Sequence, residues 1–377
     1  MKLQIHLLLK RIERLVTSAP KGLIYGILSF ALRNSPPLHR LKDSDIQRVL
    51  LLRYDRAGDM IISLPTVRFL RRHAPHAHID VLASASNARI AQSFPDVDSV
   101  FIMPDSLLSR LTLFRKLRSS KYDLVIACIT NRSTFIGLLC SYLTSYHGIS
   151  LSPFRGEKYN RFFHVHSRSG SARTYAVEKL LYSVPDAVEC AIEPHDVKAC
   201  MYVPEEPSEH VRRWLTQCHL KSGEYALLNI SVRTERNTWT DQGYISTVKA
   251  LRACTGRRVV ITAMPDEMEK AHHIAQMSGS AEVYAATKDI MEIASLVQGA
   301  RIVVTPDTAV VHMCSALEVP MVGLYCYSET EPREWGPTHP HLCVVVSSAR
   351  GKIVRDISSD EVVAAIENLM NATGHRA

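Results

Sequence analysis

Long apolar runs are what this sequence most lacks. The purest, residues 22–32, has 11 residues, too short to cross about 30 Å of hydrocarbon as a helix. That argues against a polytopic membrane protein. The chain also has no C-x-x-C and no His/Cys cluster at zinc spacing, and its nine cysteines are an odd count. Several sit inside apolar runs, Cys128 in LVIACI and Cys326 in VGLYCY. Such thiols read as small buried hydrophobes in a reducing compartment, not as a disulfide framework or a metal site. No G-x-G-x-x-G and no G-x-x-x-x-G-K-[ST] occurs, which counts against a dinucleotide fingerprint and a P-loop ATPase. There is no internal repeat and no low-complexity tract. With 46% hydrophobic and 22% charged residues, the composition is that of a globular enzyme and argues against wholesale disorder.

Charge is present but unevenly placed. The formal total is +8, yet residues 1–42 hold Lys2, Lys10, Arg11, Arg14, Lys21, Arg33, Arg40 and Lys42 against Glu13 alone, a net +7. The remaining body is close to neutral. That speaks against a nucleic-acid binder, which needs a basic stripe on its folded surface. The basic leader is not a secretory signal, because Lys10, Arg11, Glu13 and Arg14 interrupt its apolar stretch. Leu3, Leu7, Leu8, Ile12, Leu15 and Val16 recur at helical spacing. Such a basic amphipathic helix either lies on an anionic membrane surface or packs on the domain that follows.

From residue 48 the pattern alternates. RVLLLRY, residues 78–84, 97–103 and 122–129 are short apolar strands, with a helix over 60–73 and a basic segment before 122. Residues 150–172 read as loop. The alternation resumes at 225–231 and continues through 257–263, 282–286, 301–307 and 321–326. Unbroken apolar strands alternating with helices predict parallel sheets covered on both faces. The expectation is α/β: two Rossmann-like, doubly wound domains facing a cleft. The divisions are a leader over 1–46, a first domain over 47–205 and a second domain over 206–377. The last helix, about 359–372, either closes the second domain or reaches back to the first. Ligands bind at the carboxyl ends of such strands, so the turns that follow them carry the chemistry.

Four turns stand out. After the first strand comes Asp55-Arg-Ala-Gly58-Asp59. Glycine permits close backbone approach, and Asp59 is either a general base or a helix cap. Thr305-Pro-Asp-Thr308 opens a helix whose free N–H groups and dipole suit a phosphate. In that block Asp307 caps the helix or holds a sugar hydroxyl, Thr308 offers a hydroxyl, and His312 either meets the ligand or belongs to the core. After residue 231, Arg233 and Arg236 either reach a diphosphate or form a solvated basic loop. After residue 263 come Asp266, Glu267 and Glu269, read as ribose-binding carboxylates or as helix-start acids.

Together these turns resemble the heptosyltransferases, glycosyltransferase family 9. LLLRYDRAGDMIISLPTVRFLRRHAPHAHIDVLA is similar to that family's opening, and VVTPDTAVVHMCSALEVPMVGLYCYSETEPREWGP to its donor-site block. The resemblance spans about 48–345 and leaves out the leader. It implies the glycosyltransferase B fold, with 47–205 as the acceptor-binding domain and 206–377 as the nucleotide-sugar-binding domain. It also implies an inverting, metal-independent transfer of heptose from ADP-heptose to a lipopolysaccharide core acceptor, with no cofactor beyond the nucleotide-sugar co-substrate. Asp59 matches the catalytic base; Asp307, Thr308 and His312 match the donor block, and Glu269 an acidic residue that binds the ribose. Ala309 stands where the pattern has Gly, and Asn237 where it commonly has Lys. A methyl at 309 narrows the diphosphate space and penalises positive φ; Arg236 or Arg233 is close enough to replace the missing charge. Arg53, Arg56 and Arg173 are expected, from charge and position alone, at acceptor phosphates or acid sugars. The expected location is cytoplasmic, peripheral at the inner face of the inner membrane, with the anionic surface met through residues 1–42 and no nucleic-acid partner. The rival readings are the same fold on another nucleotide sugar, and a non-catalytic relative in envelope assembly.

Overall fold

The computed structural model describes residues 34–129, 134–153, 162–279, 281–285, 287, 289–327, 334–337 and 343–373. The first half runs β1 (Arg48–Arg53), α1 (Ala57–His73), β2 (His78–Ala83), α2 (Ala88–Ser93), β3 (Ser99–Ile102), α3 (Leu107–Ser119), β4 (Tyr122–Ala127), α4 (Thr134–Leu143), β5 (Thr144–Ser152), β6 (Val165–His166), α5 (Arg168–Ser171) and α6 (Ala176–Leu181). The second half runs α7 (Glu205–Gln217), β7 (Tyr225–Asn229), α8 (Asp241–Thr255), β8 (Arg258–Thr262), α9 (Met268–Ser278), β9 (Ala281–Val283), α10 (Ile290–Gly299), β10 (Val303–Pro306), α11 (Ala309–Leu317), β11 (Met321–Tyr325), β12 (Cys343–Ser347) and α12 (Ser359–Ala372).

Two parallel sheets result, in the orders β3-β2-β1-β4-β5-β6 and β12-β11-β10-β7-β8-β9. The cause is legible in β1. Its side chains alternate between faces, and both faces are apolar: Val49 and Leu51 join one buried cluster, Leu50 and Leu52 another. A strand buried on both sides needs helices on both faces, and parallel crossovers supply them. In each sheet the chain steps outward from a central strand and then returns to that strand's other side. The return strand is β4 beside β1 in the first sheet and β10 beside β7 in the second. These are the switch points where the carboxyl ends part and leave a crevice. The Asp59 turn follows β1, the Arg236 loop follows β7, and Asp307–Thr308 follow β10.

Several boundaries differ from expectation. The basic segment before β4 is the helix α3. Residues 150–152 finish β5, and β6 and α5 occupy part of the presumed loop. The closing helix α12 packs on α8 and beside β11 and β12, burying Val362, Ile366, Leu369 and Met370. It therefore closes the second domain. The expected leader does not stay apart along its whole length. Leu41 pairs with Val188, Asn34 Nδ2 donates to Ser141 Oγ and the Phe162 carbonyl, and Arg40 donates to the Pro185 carbonyl. Residues 1–33, and with them the expected amphipathic helices, lie outside the described residues. Among the described residues no helix is long and apolar enough to cross a membrane.

Candidate active site

β1 ends in Arg53, which is 0% exposed. Its Nε donates to Ser63 Oγ at 2.7 Å and its Nη1 to Asp55 Oδ2 at 2.9 Å. Ser63 in turn donates to the Asp59 carbonyl at 2.9 Å. A buried cation thus ties the strand end to the first turn of α1. Burial pushes the Asp55 carboxyl up, and the Arg53 charge opposes this. Asn87, also buried, braces the other side, its Nδ2 donating to the carbonyls of Arg53 and Arg56 at 2.9 and 3.2 Å. The N-cap of α1 is Arg56, so Asp59 does not occupy the cap position. Asp59 is half-buried, and its carboxylate has no hydrogen-bond or ion-pair partner among the described residues. A carboxylate left free in a rigid turn at a cleft is positioned to take a proton.

In the second domain Thr308 caps α11, its Oγ1 accepting from Val310 N at 3.3 Å. Asn229, buried at the end of β7, donates through Nδ2 to Thr305 Oγ1 at 2.9 Å and to Thr308 Oγ1 at 3.3 Å. Its Oδ1 accepts from Thr262 Oγ1 and Ser231 N. One amide therefore links the carboxyl ends of three strands to the start of α11. Ala309 is the first residue of that helix and is not among the positive-φ residues, so its methyl carries none of the backbone penalty expected at a glycine position. Asn237 donates to the Asp307 carbonyl at 3.4 Å, and Cys326 Sγ donates to the Arg236 carbonyl and to Asn237 Oδ1. The Asn237 side chain thus holds the 231–239 loop against the donor block, while Arg233 and Arg236 extend into the exposed part of the loop. Glu269 is exposed in the first turn of α9. Glu267, half-buried, instead accepts from the backbone N–H of Met264 and faces that of Val232 in the neighbouring loop.

The two domains meet at Gly58. A Cβ on this residue would lie 2.5 Å from His312 Cδ2 and 3.5 Å from Ala309 Cα. The first turns of α1 and α11 are therefore in contact, and Asp59 is the next residue. Burial and the Arg53 charge push the His312 imidazole down to about 4, so the ring is neutral near pH 7. His312 belongs to the meeting of the domains, beside a small hollow lined by Ile61, Ile62, Tyr175 and Ser315.

The acceptor arginines are not gathered. Arg53 is fully buried and bonded to Ser63 and Asp55, which corrects its assignment to acceptor phosphates: it organises the turn instead. Arg56 is exposed at the start of α1. Arg173 is exposed with its guanidinium 3.7 Å over the Tyr182 ring. Among the described residues no group of three His, Cys, Asp or Glu is placed to hold a metal. Sequence reasoning missed Ser63, Asn87 and Asn229. The signal for Asn229 was present, a polar residue ending an otherwise apolar strand. Nothing local marked Asn87 for this role, since the carbonyls its Nδ2 bonds lie about thirty residues upstream.

Comparison with known proteins places this geometry. Residues 110–359 match the model of glycosyltransferase family 9 (heptosyltransferase). Lipopolysaccharide heptosyltransferase 3 of Escherichia coli (strain K12) is 23% identical over 339 residues, 83% of this chain and 95% of that protein. A glycosyl transferase family 9 structure from Veillonella parvula DSM 2008 is similar with a TM-score of 0.73 at 17% identity, covering 86% of this chain and 97% of that one. The structure of E. coli heptosyltransferase WaaC with ADP gives 0.66 at 20% identity, covering 86% and 99%. These structures share the two-domain Rossmann-like architecture. With the family model matched from α3 to the start of α12, this chain is a glycosyltransferase and belongs to glycosyltransferase family 9, the heptosyltransferase family.

Proposed function

We propose that this enzyme transfers heptose from ADP-heptose to a hydroxyl of a lipid-linked lipopolysaccharide core, with inversion and without a metal. The observation that carries this reading is the contact of Gly58 with His312 and Ala309, which sets an unpartnered carboxylate beside the N-terminus of α11. In the reaction Asp59 takes the proton from the acceptor hydroxyl as its oxygen attacks the anomeric carbon. The bond to the diphosphate breaks on the opposite face, and ADP departs. A single in-line displacement inverts that centre. The charge on the departing diphosphate is met by the N–H groups and dipole of α11, by the Thr308 hydroxyl and by Arg236. Asp307 and Glu269 are assigned to hydroxyls of the donor. The ADP bound by WaaC and the lipopolysaccharide named for heptosyltransferase 3 support this choice of donor and acceptor.

Arg56 and Arg173 remain candidates for the acceptor's phosphates. On this reading the enzyme works at the cytoplasmic face of the inner membrane, with the basic residues of 1–42 drawing it to anionic lipid. Asp59→Ala is expected to lower transfer at least about a thousandfold, at the upper part of the usual range for a general base, while calorimetry shows ADP binding unchanged. Near-normal transfer in that variant would remove Asp59 from the mechanism. A panel of ADP- and UDP-sugars with truncated lipopolysaccharides of defined core length tests donor and acceptor.

A further inference from the structure

Helix α3 is badly matched to a purely solvated role. It buries only Phe114 and Leu117, while Leu107, Leu108 and Leu111 face outward, Leu108 at 74% exposure. Leu107 and Leu111 share a helix face, as do Leu108 and Leu111, and Phe114 continues the row. The Phe114 ring lies 6.2 Å from that of Phe135, which is itself exposed at the start of α4. In this parallel sheet both helices follow the carboxyl ends of their strands, so their first turns, with Leu107, Leu108 and Phe135, lie toward the same end of the sheet as Asp59. Exposed leucines gathered in one place mark an interaction surface.

The charges around the patch name the partner. Residues 103–121 contain Arg110, Arg115, Lys116, Arg118 and Lys121 against Asp105 alone. The Lys116 ammonium lies over the Phe101 ring and the Arg118 guanidinium over the Tyr142 ring, where it also donates to the Thr144 carbonyl; Arg115, Lys116, Arg118 and Lys121 are all exposed beside the leucines. Residues 1–33 carry Lys2, Lys10, Arg11, Arg14, Lys21 and Arg33 against Glu13, so like charge disfavours this segment as a cover. A second copy would likewise oppose cation to cation. Leucines within a basic rim match the interface of an anionic bilayer, where apolar groups enter the acyl boundary and cations meet phosphate.

We infer that the exposed face of α3, with Phe135, docks the first domain on an anionic membrane independently of residues 1–33. The geometry presents the carboxyl end of the first sheet toward a lipid-held acceptor. The inference does not depend on which sugar is transferred, and its test uses no sugar, so its failure is distinct from failure of the proposed reaction.

The experiment uses the full chain with vesicles of phosphatidylglycerol and phosphatidylethanolamine, and with phosphatidylcholine vesicles as the neutral comparison. In Leu108→Trp, the added emission should shift to the blue on anionic vesicles and be quenched by brominated phosphatidylglycerol. The control Met277→Trp, at an exposed position in α9, should do neither. The double variant Leu108→Glu, Leu111→Glu should bind anionic vesicles about tenfold more weakly, with its melting temperature and ADP binding retained. Absence of quenching in Leu108→Trp overturns the inference, as does unchanged vesicle binding in the double variant. If the double variant instead dissolves a dimer while vesicle binding stays the same, the face is a self-association surface and the inference fails.

Discussion

His312 shows how one residue can report on two domains. Its imidazole is held near a pKa of about 4 by burial and by the Arg53 charge, against about 6.5 in an unfolded chain. The folded state therefore disfavours the proton that the unfolded state accepts. Its contribution to stability is fully present above about pH 6.5 and is lost as pH falls from there toward 4, by at most about 3 kcal/mol. In urea unfolding between pH 7.5 and 4.5, His312→Gln should show a shallower pH dependence than the native chain. Parallel curves would show that the proton is taken up elsewhere. Asn229 illustrates the complementary case, a neutral amide whose bonds hold the ends of three strands. Such a group fixes geometry without any charge to titrate.

At the scale of elements, each candidate segment is a short turn set on a strand end. The Asp59 turn is held by Arg53, Ser63 and Asn87, and the Thr305–Thr308 turn by Asn229 and Asn237. Both sit at switch points where neighbouring strands lead away in opposite directions. The elements farthest from the chemistry serve by packing. In α12 the buried residues Val362, Ile366, Leu369 and Met370 recur at helical spacing and face α8. Leu369→Ala should lower stability by about 2–4 kcal/mol in chemical denaturation, without altering the Asp59 turn. A loss below about 1 kcal/mol would mean that α12 is not integral to the second domain.

At the scale of the whole molecule, the domains are not merely tethered. A single apolar cluster runs from Val49, Leu64 and Val67 in the first domain to Leu227, Val303 and Val311 in the second, through the contact of α1 with α11. At Gly58 that contact leaves no room for a side chain. Gly58→Ala places a methyl against the His312 ring, so the ring or the first turn of a helix must shift. Misplacement of this size at a reacting centre costs on the order of tenfold to a hundredfold in rate. Steady-state kinetics should show that fall in kcat/KM while ADP affinity changes little. Wild-type kinetics would mean that the domains part during turnover and that the contact is not the catalytic arrangement.

The sequence by itself determined the two parallel sheets, because a strand buried on both faces is an unbroken apolar run and its crossover helices repeat at 3.6 residues. It also determined which turns bear the candidate residues, because Gly-Asp and Thr-Pro-Asp-Thr are local patterns placed directly after strands. Tertiary structure alone decided that Arg53 is an internal strut, although its charge pointed to an acceptor phosphate. It decided that Asp59 is not the helix cap, that Ala309 lies in a helix without positive φ, and that Gly58 meets His312. The burial of Arg53 and the meeting of Gly58 with His312 depend on surfaces brought together from distant parts of the chain, where burial and partners, not residue type, fix what a side chain does.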